Sequence, residues 1–305
     1  MAWLVDVETR VRDYLAERSL VGRASQCWTR SVHPSVSKEH AVLAFEAGGW
    51  TLKDLGSRNG TWADGKRLEP GVGVCLEKES RLRFGDVGFV LETVEAPTLC
   101  ARRTSNGECI VAELGILSLP DDENPAASGY EVAPGSWAID HAGQTQRLQD
   151  GDTFYLQDER FVLRVPGPDT LRALDCTVAI GSEMVLAEAK LRLDVSQDEE
   201  SISTRLEAET RTLHVPSRAT HQVLLVLGRQ RVTDQRAGLA ESECGWLYAD
   251  ELAKLMRTDV QKVNVDVHRL RQQLAKLGVL DASRIVERRI TSHQMRLGVA
   301  QIAIQ

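Results

Sequence analysis

The sequence predicts a multidomain α+β protein: an all-β sandwich over residues 1–95, a β-rich middle region over 96–204, and three helices closed by a β-hairpin over 205–305. Three observations carry this. The chain has 305 residues, more than one small core organises. Within the first 92, glycine-bearing corners (Gly48-Gly49, Asn59-Gly60, Asp64-Gly65, Pro70-Gly71) break short alternating runs such as Trp50 to Leu55 and Arg81 to Phe84. Turn signals at this density mark a sandwich of short strands. From about Pro216 the apolar period lengthens from two to between three and four.

The middle region is read more weakly. Pro120 to Pro125 is a polar breaker, and Leu148 to Asp152 followed by Phe161 to Val165 reads as a turn and a closing strand. That ending echoes Gly85-Asp86 and Phe89 to Leu91. The echo fits a degenerate duplicate of the first sandwich and equally fits ordinary strand chemistry. Such a region could serve as a spacer, a dimer surface, or an acidic mimic that shields the basic end.

In the last region Val223, Leu224 and Leu227 suit a first helix, and Asp250 to Met256 a second. The third is the best-defined element. Val260, Val263, Val267, Leu270, Leu274 and Leu277 recur at steps of three and four, with Asp259 where an N-cap belongs and Gly278 where a helix-ending glycine belongs. Strands over Arg284–Glu287 and Gln294–Val299 then form a hairpin, which completes a winged-helix pattern.

Hydrophobic residues make up 42% and charged residues 27%, an ordinary globular balance. No apolar run is long enough to span a bilayer, and Asp6, Glu8 and Asp13 interrupt any leader-like start, so a cytoplasmic protein without signal peptide or membrane anchor is expected. The six cysteines, Cys176 among them, form no CxxC pair and lie at no zinc spacing with the histidines; no metal and no cofactor are expected. The net charge of −7 is uneven. Residues 205–305 carry sixteen basic and eleven acidic side chains, a net of +5, which leaves −12 on the first 204. Halves of opposite sign point to different partners.

Three N-terminal segments have the chemistry of a phosphate site. Gly22-Arg23 ends a strand, Ser37-Lys38-Glu39-His40 opens a loop-to-strand corner, and Gly56 to Thr61 forms a tight turn. A phosphate dianion needs donors converging from separate loops: an Arg fork, a hydroxyl, and backbone N–H groups of a turn. No base–nucleophile pair accompanies them, so a binding module rather than an enzyme is expected. The string Gly60 to Arg67 imitates a P-loop, but Arg67 stands where Mg²⁺ needs a hydroxyl, and no helix pattern follows.

These residues resemble the forkhead-associated (FHA) family. Gly22-Arg23, Ser37-x-x-His40, Asp54-Leu55-Gly56-Ser57-x-Asn59-Gly60-Thr61 and Phe84-Gly85 stand in the family's order over about the first 92 residues. The resemblance implies recognition of phosphothreonine on a kinase or a kinase substrate. It implies that Arg23 pairs with the phosphate, Ser37 hydrogen-bonds it, Lys38 and Arg58 add contacts, and Asn59 holds the peptide main chain. Gly22, His40 and Gly60 match positions that shape the loops.

The third helix of the last region carries Lys262, Val265, His268, Arg269, Gln272 and Lys276 opposite its apolar stripe. Long cationic and amide side chains on an exposed helix face suit major-groove reading, and Arg288, Arg289, Gln294 and Arg296 of the hairpin suit phosphate contact. Trp246 to Ala253 and Asn264-Val265-x-Val267-x-Arg269-Leu270-Arg271-x-x-Leu274 resemble the winged-helix output domains of bacterial response regulators, with Arg288 to His293 in place of the usual Gly-Tyr wing. The expected function is therefore a bacterial, phosphothreonine-dependent signalling protein that regulates transcription through double-stranded DNA. The alternative is an adaptor whose winged helix binds protein.

Overall fold

The computed structural model describes residues 1–133, 135–167, 184–198, 201–209, 211–289 and 292–305. Cys176, Ile290 and Thr291 lie outside this set. The chain divides into two compact units. One comprises residues 1–111 with 149–153 and the stretch from 161, the other residues 112–148, 154–160 and the C-terminal part. No helix among the described residues is long and apolar enough to cross a membrane.

In the first unit, strands β1 (Ala2–Asp6), β2 (Arg12–Tyr14), β3 (Arg18–Gly22), β4 (Thr29–Arg30), β5 (Ala41–Glu46), β6 (Gly49–Asp54), β7 (Thr61–Ala63), β8 (Lys66–Arg67), β9 (Gly73–Leu76), β10 (Arg81–Phe84) and β11 (Val87–Val94) build two sheets. One has the order β2-β1-β11-β10-β7-β8, the other β4-β3-β5-β6-β9. Alternate residues of both meet in one core, with Leu4, Leu82, Phe84 and Leu91 from the first sheet and Val21, Leu43, Trp50 and Leu52 from the second. Period-two alternation puts each of these on the inner face. The hairpin corners turn through left-handed residue pairs, Ala47-Gly48 and Asp64-Gly65, whose twist matches that of the flanking strands.

The same unit continues with β12 (Cys100–Arg103) and β13 (Cys109–Val111). Arg102 lies over the Trp28 ring at 3.7 Å and pairs with Asp13 at 3.2 Å. The next strands are β14 (Ile116–Leu119), β15 (Ala127–Ala133), β16 (Ser136–His141), β17 (Gln144–Leu148), β18 (Thr153–Leu156) and β19 (Glu159–Arg164). In this run β12, the first strand, pairs antiparallel with β19, the last, as β1 pairs with β11. The corners before the two closing hairpins also bond alike. Glu79 N–H donates to the Leu91 carbonyl at 2.7 Å and Leu91 N–H to that of Ser80 at 2.9 Å; Gly151 N–H donates to the Leu163 carbonyl at 2.9 Å and Leu163 N–H to that of Asp152 at 2.8 Å.

In the second unit, β14 to β17 form an antiparallel sheet in sequence order. Then come β20 (Lys190–Val195), β21 (Ile202–Ala208), β22 (Arg211–Val215), α1 (His221–Arg236), β23 (Leu247–Tyr248), α2 (Ala249–Leu255) and α3 (Val260–Lys276). The chain ends with β24 (Val286–Arg289), β25 (Gln294–Leu297) and β26 (Gln301–Ile304). The α3 stripe is buried as its period requires: Val263, Val267, Leu270 and Leu274 are each at most 1% exposed. Asp259 caps the helix by accepting from Lys262 N–H at 2.7 Å, and Gly278, at φ +84°, ends it.

The closing strands differ from the sequence reading, and the second hairpin strand ends at Leu297 rather than Val299. The first hairpin strand lies at Val286–Arg289, because residues 282–285 form a 3₁₀ turn. The chain closes with a further strand, β26, parallel to β20, with Leu191 opposite Ile302. Local periodicity cannot reveal a pairing across more than a hundred residues.

Candidate functional site

The site grows from a glycine that must be a glycine. A Cβ on Gly22 would stand 2.3 Å from the Lys38 carbonyl oxygen and 2.9 Å from the Cys27 sulfur. Its absence lets the end of β3 lie against the 36–38 loop. There Arg23 N–H donates to the Ser37 carbonyl at 2.9 Å and Ala24 N–H to that of Lys38 at 3.0 Å. The Arg23 Nε–H donates to the Val36 carbonyl at 3.2 Å, which aims the guanidinium along the loop and leaves its two terminal nitrogens without a partner among the described residues.

His40 fixes the corner. Its Nδ1 accepts from Ser37 N–H at 3.0 Å, and its Nε2 lies 2.9 Å from the Gly60 carbonyl. A backbone N–H only donates and a carbonyl only accepts, so the ring is the neutral tautomer with its proton on Nε2. Burial pulls its pKa below the ordinary histidine value, against the opposing pull of the Gly60 carbonyl and Asp54. Both nitrogens are committed, so His40 positions the loops, as the resemblance implies.

Asp54 is the second anchor. This carboxylate, 1% exposed, accepts from Gly56 N–H at 2.9 Å, Ser57 N–H at 3.0 Å, the Ser57 hydroxyl at 2.6 Å and the Thr61 hydroxyl. Burial alone would raise its pKa; the hydrogen bonds from Ser57, Thr61 and Gly56 outweigh it and hold the pKa below the usual value. The 55–60 turn is thereby drawn tight, with Gly56 and Gly60 at φ +78° and +90°. It docks on the other loop: Arg58 N–H donates to the Ser37 hydroxyl oxygen at 3.0 Å, and the Asn59 amide donates to the Ser35 carbonyl at 2.8 Å.

The five residues expected to bind phosphopeptide thus stand on three loops tied to one another. Arg23, Lys38, Arg58 and Asn59 are exposed and Ser37 is half-buried. Ser37 accepts from Arg58 N–H, which orients the hydroxyl and leaves its own proton to donate. Arg30, which the sequence reading missed, joins them. The short parallel pairing of β4 with β3 sets Arg30 beside Gly22, and its Nε–H donates to the Arg23 carbonyl at 3.4 Å. No local pattern marks a two-residue parallel strand. None of Arg23, Arg30, Lys38 and Arg58 pairs with a carboxylate among the described residues. Four cations without a carboxylate partner among the described residues, around an oriented hydroxyl, are the chemistry a dianion requires. A nearby Ser35–His33 contact of 2.7 Å orders the loop: Ser35, 9% exposed, also accepts from Asp86 N–H at 2.9 Å.

The cationic and amide residues of the second unit are placed differently from expectation. The helix face read as solvent-exposed is in large part covered. His268 is 1% exposed, with Ser118 and Ser128 hydroxyls 3.2 Å and 2.8 Å from its two ring nitrogens. Burial and the neighbouring Arg271 lower its pKa to about 4, with Asp122 opposing. The Gln272 amide donates to Asp122 at 3.1 Å. Lys262 pairs with Asp266 one turn on. Arg288 is buried and pairs with Asp140 at 2.9 Å, Arg289 pairs with Glu243 at 2.9 Å, and Arg296 with Glu287 at 2.8 Å. Of the eight residues expected to contact DNA, Arg269 and Lys276 alone are exposed with no partner among the described residues. A helical wheel shows which face is polar. It does not show what packs on that face.

Residues 20–85 match the sequence model of the FHA domain family. Over 139 residues the chain is 30% identical to mediator of DNA damage checkpoint protein 1 of Rattus norvegicus, which covers 39% of this chain and 10% of that protein. Over 133 residues it is 24% identical to an FHA domain-containing protein of Arabidopsis thaliana, 40% of this chain and 33% of the relative. The chain therefore spans a tenth and a third of these relatives' lengths. Among solved structures, EmbR of Mycobacterium tuberculosis in complex with a low-affinity phosphopeptide is 26% identical, with a TM-score of 0.28, over 30% of this chain and 24% of that one. The N-terminal FHA domain of S. cerevisiae Rad53p in complex with a phosphothreonine peptide is 18% identical, with a TM-score of 0.28, over 30% of this chain and 90% of that one. Residues 20–85 are an FHA domain.

Proposed function

We propose that the chain reads phosphothreonine on a partner protein, a kinase or a kinase substrate, and acts by binding rather than catalysis. Arg23 pairs with the phosphate, Ser37 donates its hydroxyl proton, Lys38 and Arg58 add charge, and Asn59 holds the peptide main chain. The carrying observation is the Ser37 hydroxyl, oriented by Arg58 N–H at 3.0 Å amid cations that have no carboxylate partner among the described residues. An oriented phosphothreonine peptide library tests this on the full chain. Selection of sequences should depend on the phosphate and vanish in Arg23→Ala; phosphate-independent selection overturns it.

For the second unit the reading is a winged helix delivering a DNA-bound, transcriptional output. Three helices followed by the β24–β25 hairpin support the form, and the exposed Arg269 and Lys276 support the polyanion. One observation favours the adaptor reading instead: His268 and Arg271 of α3 are buried against strands of the same unit. A gel shift across a salt series separates them, since real phosphate contacts weaken with salt. The shared first-to-last strand pairing and corner hydrogen bonds also support a degenerate duplicate of the FHA domain within the middle region, residues 96–204.

A further inference from the structure

The covering of α3 has a specific chemistry. Asp140, on β16 and 4% exposed, faces two guanidinium groups, Arg271 Nη1 at 3.3 Å and Arg288 Nε at 2.9 Å. Its other oxygen accepts from the Tyr130 hydroxyl at 3.0 Å and the Thr145 hydroxyl at 2.7 Å. Arg271 also stacks on the Tyr130 ring at 3.6 Å. Among the described residues, one carboxylate against two buried cations leaves the cluster short of negative charge, and Arg271 Nε and Arg288 Nη1 are buried without a hydrogen-bond partner. A separate groove of about 370 Å³ opens along another face of α3. Arg218, Arg269 and Lys276 line it together with Asp122 and Glu123 of the loop before β15.

We propose that residues 112–148 act as an internal substitute for nucleic acid, with Asp122, Glu123 and Asp140 set against the cationic face of α3 and β24, so that a polyanion binds only when this contact opens. The inference rests on the DNA-output reading and names its regulation. Under-neutralised buried ion pairs add little net stability, because desolvation offsets their attraction. The cover is therefore exchangeable, and a strand of phosphates supplies the negative charge and acceptors that one carboxylate does not. A closed majority lowers the apparent affinity by the fraction that is open.

The test titrates the full-length chain into a fluorescently labelled random-sequence DNA duplex at low salt and follows anisotropy. The probe variant is Asp122→Asn with Glu123→Gln; both residues are exposed, so the fold is spared. The control, Asp158→Asn with Glu188→Gln, removes the same charge from exposed carboxylates that do not line the groove. Hydrogen exchange at β14 and β15 is read with and without DNA. The proposal expects the probe variant to bind at least about fivefold more tightly than wild type and control, the lower end of ordinary site-to-site coupling, and exchange at β14 and β15 to rise on DNA binding. Equal affinity of probe and wild type overturns the substitute while leaving DNA output standing. Tighter binding with unchanged strand exchange also overturns it, as mere relief of local repulsion. If no variant binds DNA, the output reading falls and the inference falls with it.

Discussion

Asp54 offers a demanding check on how the phosphate loops are held. Four donors converge on it: two backbone N–H groups on Oδ2 and two hydroxyls on Oδ1. A hydrogen bond to an ionised group contributes roughly 1.5–3 kcal/mol, part of which the buried carboxylate's desolvation offsets. Asp54→Ala strands both N–H groups and should cost about 3–4 kcal/mol. Asp54→Asn should cost less, about 1–2 kcal/mol. Its oxygen can face the two N–H groups while its NH₂ faces the hydroxyls of Ser57 and Thr61, which can turn to accept. The pH dependence has a fixed sign. The folded pKa lies below the ordinary value of 3.8, so the stabilisation is complete above the unfolded pKa and is lost as pH falls through the folded one. The wild-type advantage over Asp54→Ala should thus hold from neutral pH down to about pH 5 and shrink below about pH 4. Pulse-labelling hydrogen exchange across a urea series, read at β5 and β6 of the full chain, isolates this sandwich. A loss below about 1 kcal/mol for Ala, equal losses for Ala and Asn, or an advantage that widens in acid would refute the reasoning.

Other substitutions bear on separate parts of the account. Gly22→Ala drives a Cβ to 2.3 Å from the Lys38 carbonyl, so it should destabilise the sandwich by ~2–4 kcal/mol and abolish phosphopeptide binding, read by thermal unfolding and anisotropy. Ser37→Ala should weaken phosphopeptide binding by about tenfold or more, in line with loss of one charge-assisted hydrogen bond, while costing stability only ~1 kcal/mol. Asp140→Asn leaves two buried guanidinium groups without a counter-charge and should destabilise the second unit by ~3–5 kcal/mol, measured by hydrogen exchange in α3. His268, held at about 4 against an ordinary value of 6.5, keeps its full contribution above pH 6.5 and loses ~3 kcal/mol as pH falls toward 4. His268→Gln should flatten that acid limb, and an unchanged limb would show that another group sets it.

The two ends of the chain were unequally legible. The FHA motifs were readable because each residue acts on its immediate surroundings. Gly22 and Gly60 admit close approaches, His40 and Asp54 tie corners, and Arg23 is exposed with Ser37 half-buried. In α3 the stripe, the Asp259 cap and Gly278 were equally local and stand as read. Arg30 was hidden because its place comes from a parallel pairing of two residues. The burial of His268 and Arg271 was hidden for a similar reason, since their partners Ser118, Ser128 and Asp140 lie more than a hundred residues earlier. Composition gave the sign of that contact, an acidic first part and a basic end, and not its place.

On the proposed function, Arg23, Ser37 and Asn59 together read a phosphate on threonine. Calorimetric titration of the full-length chain with one library-selected peptide, in phosphothreonine, phosphoserine and unphosphorylated forms, tests it most directly. The account predicts saturable binding of the phosphothreonine form, weaker binding of phosphoserine, none without phosphate, and a loss of about 100-fold in Arg23→Ala from the missing charge-assisted pair. Equal binding of the unphosphorylated peptide, or an Arg23→Ala protein that binds as wild type does, would contradict it.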